Sequence, residues 1–272
     1  MRLNVQHSTL YTYQPAAARV ALRLKLFPTS FSGQTVVTWK VMLNGVPQEP
    51  LLTDAFGDSV AVWHAHNGCE TLEVCAEGTI ETVDRSGIIG QLGKAKHAAV
   101  FLRHTSLTTP RDRISEFAAN VEGDTTLDRM HALSRAVHDE IAYRPGATTG
   151  TTTAEEALAT GSGVCQDHAH VFIAAARSLR IPARYVTGYL FVGNDAEALV
   201  ETHAWAEAHV EDIGWVAFDA SNGICATENY VRLCSGLDAD HAAPIRGSVN
   251  GGGEMELTAR VDIAEAQESA QQ

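Results

Sequence analysis

The sequence predicts an α+β protein with an all-β sandwich-like domain in front. Three observations carry this. The first 85 residues show period-2 hydrophobic runs broken by turn signals. A helix-period segment and a nearly all-apolar helix follow, at 124–142 and 165–179. Strand patterns then return beyond Pro182.

In the first region, Leu22, Leu24 and Leu26 alternate with Arg23 and Lys25. Thr35, Val37, Trp39, Val41 and Leu43 share one face of a run that Asn44-Gly45 ends as a turn. Shorter runs at 3–7, 59–63 and 70–76 complete a sandwich pattern over residues 1–85. Residues 86–123 read as a connecting segment loosened by Gly87, Gly90 and Gly93, with Pro110 opening a short helix at 111–119.

The second domain spans 124–263. Leu127, Met130, Leu133, Val137 and Ile141 recur at helical spacing, and Arg144-Pro145-Gly146 breaks the pattern. Thr153 and Glu156 form a capping-box pair for a short helix that Gly161 stops. Cys165 opens the apolar helix that belongs in the centre of a core. Strands follow at 183–191, 202–210, 214–219, 230–234 and 256–263, and 264–272 reads as a frayed tail.

The chain of 272 residues is 45% hydrophobic and 19% charged, which excludes extended disorder. Its formal charge of −13 repels a phosphate backbone, so nucleic acid is not an expected partner. No apolar run reaches the ~20 residues of a bilayer span, and the start lacks a signal-peptide pattern. Five cysteines without a C-x-x-C fit a cytoplasmic protein better than a disulfide scaffold.

The chemistry concentrates in three residues. Cys165 stands behind Gly161-Ser-Gly163 at a helix start, where unpaired N–H groups and the macrodipole favour a thiolate. His203, Trp205, Glu207 and His209 share one strand face. A tight hairpin between 202–210 and 214–219 pairs positions summing to about 422–425, which sets Asp219 nearly opposite His203. Nucleophile, base and orienter thus follow in the order Cys165, His203, Asp219. The Cys165 backbone N–H is one oxyanion donor, with Tyr143 and Gln166 as further candidates and Trp205 as a site wall.

These residues lie in segments with a family resemblance. Gly163-Val-Cys-Gln-Asp-His-Ala-His170, Arg180-Ile-Pro-Ala-Arg-Tyr-Val-Thr-Gly-Tyr189, Thr202-His-Ala-Trp-Ala-Glu207 and Gly214-Trp-Val-Ala-Phe-Asp219 resemble the bacterial transglutaminase-like (putative cysteine protease) family. Asp54-Ala-Phe-Gly57 resembles its N-terminal β domain, and Pro244-Ile-Arg-Gly with Gly251-Gly-Gly-Glu its closing segment. The resemblance implies a papain-like core in which Cys165, His203 and Asp219 perform acyl transfer on amides. The substrate is then a peptide or protein amide, with water or an amine as acceptor, and with no cofactor, metal or membrane partner. His168 replaces the family's usual Phe and is expected at the cleft rim, and Ala220-Ser221 replaces Pro-Thr.

Three other readings compete. An arylamine N-acetyltransferase-like enzyme also orders Cys, His and Asp, but its cysteine lies much nearer the N-terminus. A non-catalytic peptide-binding or scaffold protein would not need an intact triad. A zinc hydrolase using His168, His170, His203 and Cys165 would need both helix histidines on one face, and i, i+2 residues point about 200° apart.

Overall fold

The computed structural model describes residues 1–66, 68–91, 98–193 and 202–266. Seven strands form the first part: β1 (Arg2–Ala17), β2 (Arg19–Phe27), β3 (Gln34–Leu43), β4 (Val46–Gln48), β5 (Leu52–Thr53), β6 (Ser59–Ala65) and β7 (Cys69–Thr82). They divide between two antiparallel sheets whose facing side chains, from Leu3, Val5, Leu22, Leu24, Val41 and Leu72, make one core. Asn44 and Gly45 both take positive φ, as the β3–β4 turn requires. The single-face reading of β3 holds only for Trp39, Val41 and Leu43. A β-bulge between Val36 and Thr38 shifts the register, leaving Thr35 and Val37 exposed.

The connecting segment is more than a linker. Its strand β8 (Ile88–Gly90) joins the sheet of the second domain, and α1 (Asp112–Ala119) packs on that domain's core. Helix α2 (Thr126–Glu140) starts with a Thr125–Asp128 capping box and buries Met130, Leu133 and Val137. A two-residue strand β9 (Ala142–Tyr143) follows. Helix α3 (Ala154–Thr160) has the expected Thr153–Glu156 box, and Gly161 closes it at φ 65°. Strand β10 (Ser162–Gly163) pairs in parallel with β9, and α4 (Cys165–Ser178) comes next, buried from Asp167 to Arg177.

Strands β11 (Ala183–Leu190), β12 (Thr202–Val210), β13 (Gly214–Asp219), β14 (Ile224–Cys225) and β15 (Tyr230–Gly236) form an antiparallel sheet in the order β14-β13-β12-β11-β15. Ala204, Ala206 and Ala208 of β12 face α4, and their small side chains let the helix lie close. Trp205 faces the other way, into a cluster with Phe101, Val186, Trp215 and Tyr230.

The C-terminal strands depart from the expected division. β16 (Ile245–Asn250) pairs with β2, and β17 (Glu254–Glu265) pairs with β1 along most of its length. Residues 245–263 therefore complete the N-terminal sandwich rather than the core sheet. Their edge positions on β1 and β2 satisfy backbone groups that would otherwise stand open. Of the tail read as frayed, Ala264 and Glu265 belong to β17, and the Ala266 N–H donates to the Arg2 carbonyl at 2.8 Å. The rest of that segment lies outside the described residues.

The sandwich docks on the β11–β15 side of the core sheet through buried polar groups. Gln34 mimics a strand partner, donating to the Arg232 carbonyl at 2.9 Å and accepting its N–H at 2.8 Å. Lys25, whose alternation suggested an outward face, is fully buried. Its ammonium meets Asp58 at 2.7 Å, Asp54 at 2.9 Å and the Ser235 carbonyl at 2.6 Å. Asp58 also reaches Arg232, which continues through Glu207 to Arg184. No helix among the described residues is long and apolar enough to cross a membrane.

Candidate active site

The start of α4 is fixed by side chains acting on backbone. Asp167 folds back so that its Oδ2 accepts the Val164 N–H at 2.8 Å and the Thr148 hydroxyl at 2.6 Å. Gly163 makes room for this, since a Cβ there would stand 2.6 Å from the Asp167 carboxylate. The two glycines before Cys165 thus have separate tasks: Gly161 caps α3 and Gly163 admits Asp167. Cys165 itself is half-buried, with access to solvent.

His168 does not line a rim, contrary to expectation. It is 1% exposed, and its Nδ1 and Nε2 each lie 2.9 Å from a carbonyl, those of Val164 and Ile141. It pins the α4 start to the end of α2. His170 points elsewhere, accepting the Ala239 N–H at 3.1 Å. Among the described residues no three His, Cys, Asp or Glu groups are placed to hold a metal ion.

The core sheet brings His203 to the helix start. In β12 and β13, Ala206 pairs with Phe218 and Ala208 with Val216. Continuing that register sets Asp219 opposite Trp205, so His203 reaches it diagonally on the same face. His203 Nε2 and Asp219 Oδ2 are 2.7 Å apart. Cys165 is near enough to the same ring to favour its charged form, and with Nε2 taken by Asp219, Nδ1 is the nitrogen left for the sulfur.

Asp219 is heavily caged. Its Oδ1 accepts the Ser221 N–H, the Ser221 hydroxyl and the Asn222 N–H at 3.0, 2.6 and 3.2 Å. Its Oδ2 accepts, besides His203, the Asn222 amide and the Tyr230 hydroxyl, both at 2.7 Å. Ser221, a departure from the family pattern, thus keeps a hydroxyl donor on the carboxylate. Burial alone would raise the Asp219 carboxyl, but the His203, Ser221 and Tyr230 contacts outweigh it and lower it to about 2. Burial likewise opposes the His203 imidazolium. The hydrogen bond to Asp219 and the nearby Cys165 overcome that and raise it to about 9.

Tyr230 is the functional residue the sequence reading missed. It opens β15, eleven residues past Asp219, and no local pattern marks it. Replacing it by Phe removes one charge-assisted donor while the other five remain. A hydrogen bond to a charged group contributes roughly 1.5–3 kcal/mol, so a fall in kcat of roughly tenfold with KM little changed is expected. Steady-state kinetics within twofold of the parent would show the hydroxyl to be only structural.

The remaining candidates are dispersed. Tyr143 is exposed on β9, backbone-paired with Gly163, its ring 6.2 Å from that of His168. Gln166 reaches the Gly150 carbonyl at 3.4 Å. Trp205 is 2% exposed and stacks beside His203 at 6.2 Å, backing the imidazole from the sheet side. Its ring lies over Gly188, where a Cβ would come within 2.5 Å of it.

Comparison with known proteins agrees with this architecture. Residues 3–81 match the bacterial transglutaminase-like N-terminal region, and residues 115–220 match the transglutaminase-like superfamily core. The uncharacterized protein ML0607 of Mycobacterium leprae is 28% identical over 96% of this chain and 98% of its own. The uncharacterized protein Rv2569c of Mycobacterium tuberculosis is 24% identical over 91% and 87%. A Cytophaga hutchinsonii crystal structure, of a protein proposed to be a cysteine protease, superposes with a TM-score of 0.75 at 22% identity. It covers 100% of this chain and 92% of that one, and it shares the fold. The chain therefore joins a bacterial transglutaminase-like N-terminal region to a transglutaminase-like superfamily core.

Proposed function

We propose that this protein is a cysteine-dependent acyltransferase or amidohydrolase that works through a thioester at Cys165. The His203–Asp219 hydrogen bond, set beside Cys165 at the start of α4, is the observation that carries the reading. The Cys165 thiolate attacks the amide carbonyl carbon, and the developing oxyanion is met by the Cys165 N–H, which helix geometry leaves without an intrahelical acceptor. The C–N bond breaks as the His203 imidazolium passes its proton to the leaving amine. Water or a primary amine then attacks the thioester, His203 takes the proton from that nucleophile, and the C–S bond breaks. Asp219 holds the imidazole in the tautomer that serves both transfers. Water gives a peptidase or amidase, and an amine gives a transglutaminase. Five free thiols accord with a reducing, cytoplasmic location, which is part of the proposal.

Alkylation tests the nucleophile. Burial pushes the Cys225 thiol up to about 11 and Cys234 to about 12, and it raises Cys69 and Cys75 as well. Cys225, on β14 and only partly buried, is thus held protonated. Iodoacetamide near pH 6 is expected to label Cys165 first, and His203→Ala to slow that labelling. Peptide mapping that finds another cysteine labelled first removes the thioester reading. Mass spectrometry with a peptide library and a primary amine then separates hydrolysis from transfer.

A further inference from the structure

On the sheet face away from α4, a small cavity lies between the sandwich and the core, with room for about 30 Å³. Trp205 and Tyr230, the two rings packed against His203, form part of its wall. Phe31 and Gly33 close it from the sandwich side, and Arg85 and Arg232 supply cations. No Asp or Glu lines it among the described residues, in a chain of net charge −13.

We propose that this cavity binds a carboxylate, from a small organic acid or from a peptide C terminus. The Trp205 indole N–H is buried and has no hydrogen-bond partner among the described residues. A buried donor left unsatisfied costs roughly 1–3 kcal/mol, so an acceptor that reached it from the cavity Trp205 lines would be favoured. Arg232 is already engaged by Glu207 and Asp58. Arg85 is exposed, with no ion pair among the described residues, so it supplies the uncompensated charge. A guanidinium fork and one N–H suit the two oxygens of a carboxylate. The space, about the ~30 Å³ share of one water, admits one carboxylate oxygen, with the rest of the acid group at the mouth beside Arg85.

Binding does not depend on the acyl-transfer reading. Its consequence does: a negative charge beside Tyr230 would strengthen the hold of His203 on its proton, so an acid product or a substrate C terminus would tune the triad.

The test follows the four tryptophan indole N–H resonances of the ¹⁵N-labelled full chain, with Trp205→Phe assigning one of them. Sodium acetate is titrated against sodium chloride at matched ionic strength. The Trp205 resonance alone is expected to shift and saturate with acetate. Arg85→Gln is expected to weaken binding roughly tenfold, the loss of one charged hydrogen bond. Gly33→Leu, whose side chain would grow among Phe31, Val83 and Arg85, is expected to abolish it. An acetylated dipeptide acid that competes with acetate, where its amide does not, identifies a peptide C terminus as a source. Acetate binding without that competition identifies a small acid. No shift with acetate, an equal shift with chloride, or an unchanged affinity in Arg85→Gln overturns the assignment.

Discussion

Asp219→Asn is expected to lower kcat/KM by roughly three to four orders of magnitude, as loss of the orienting carboxylate does in a serine triad. The amide presents either its oxygen or its NH₂ to His203 Nε2. If the NH₂ faces the ring, Nε2 must accept and the proton moves to Nδ1, against the sulfur, where it blocks uptake of the thiol proton. If the oxygen faces it, the tautomer survives but the charge that steadies the imidazolium is gone. Either way burial, which opposes the imidazolium, is no longer outweighed. The alkaline limb of kcat/KM, expected near pH 9 in the parent, then moves down toward the ordinary imidazole range. Stability moves in step. A histidine raised in the fold from 6.5 to about 9 adds stability that is full below pH 6.5 and lost as pH rises through 9. The variant should lack that alkaline loss. Activity within about threefold of the parent, or an unmoved limb, would take Asp219 out of the triad.

The legible parts of this site share one property: their geometry is local. β12 and β13 occur at the residues read from alternation, because three residues of turn fix the hairpin register and period 2 fixes the faces. Asp219 sits two positions from the expected partner, yet on the same face, so the pair with His203 survives the offset. The α3 capping box and the Cys165 helix start are likewise set by neighbours in sequence. What stayed hidden depends on distant chain. Tyr230 caps Asp219 only because β15 lies beyond β11 in the sheet, placing its first residue over the β12–β13 end. Lys25 looks like an outward residue until the Asp54–Asp58 turn and the core sheet close over it. The return of β16 and β17 to the sandwich is a pairing across more than two hundred residues, which no local pattern encodes.

Glu207→Gln is expected to cost about 3–5 kcal/mol of stability, the penalty for breaking a buried ion pair, out of a total of about 5–15 kcal/mol. Glu207 is wholly buried on the His203 face of β12. One oxygen meets Arg184 Nε and the other meets Arg232 Nε at 2.9 Å. Glutamine keeps the shape, but it removes the charge and turns an NH₂ toward one of two N–H donors. Arg184, stacked 3.9 Å from the Trp215 ring centroid, would then have no carboxylate, and Arg232 only Asp58 at 3.9 Å. The arginines cannot discharge to relieve this, since guanidinium stays protonated. Burial by itself would raise the Glu207 carboxyl, but the two arginines hold it below the usual carboxylate range. A depressed carboxyl contributes stability above its unfolded value of 4.5, which is lost as pH falls through the folded value. The parent is therefore expected to destabilise progressively below about pH 4.5, and the variant to show a shallower acid limb because that linkage is gone. Urea unfolding at pH 7 and pH 4 measures both effects. A loss at pH 7 under about 1 kcal/mol, the range of exposed pairs, would mean that β11, β12 and β15 are held by their ladders and apolar contacts without the Arg184–Glu207–Arg232 bridge. The network would then be incidental to how β12 presents His203.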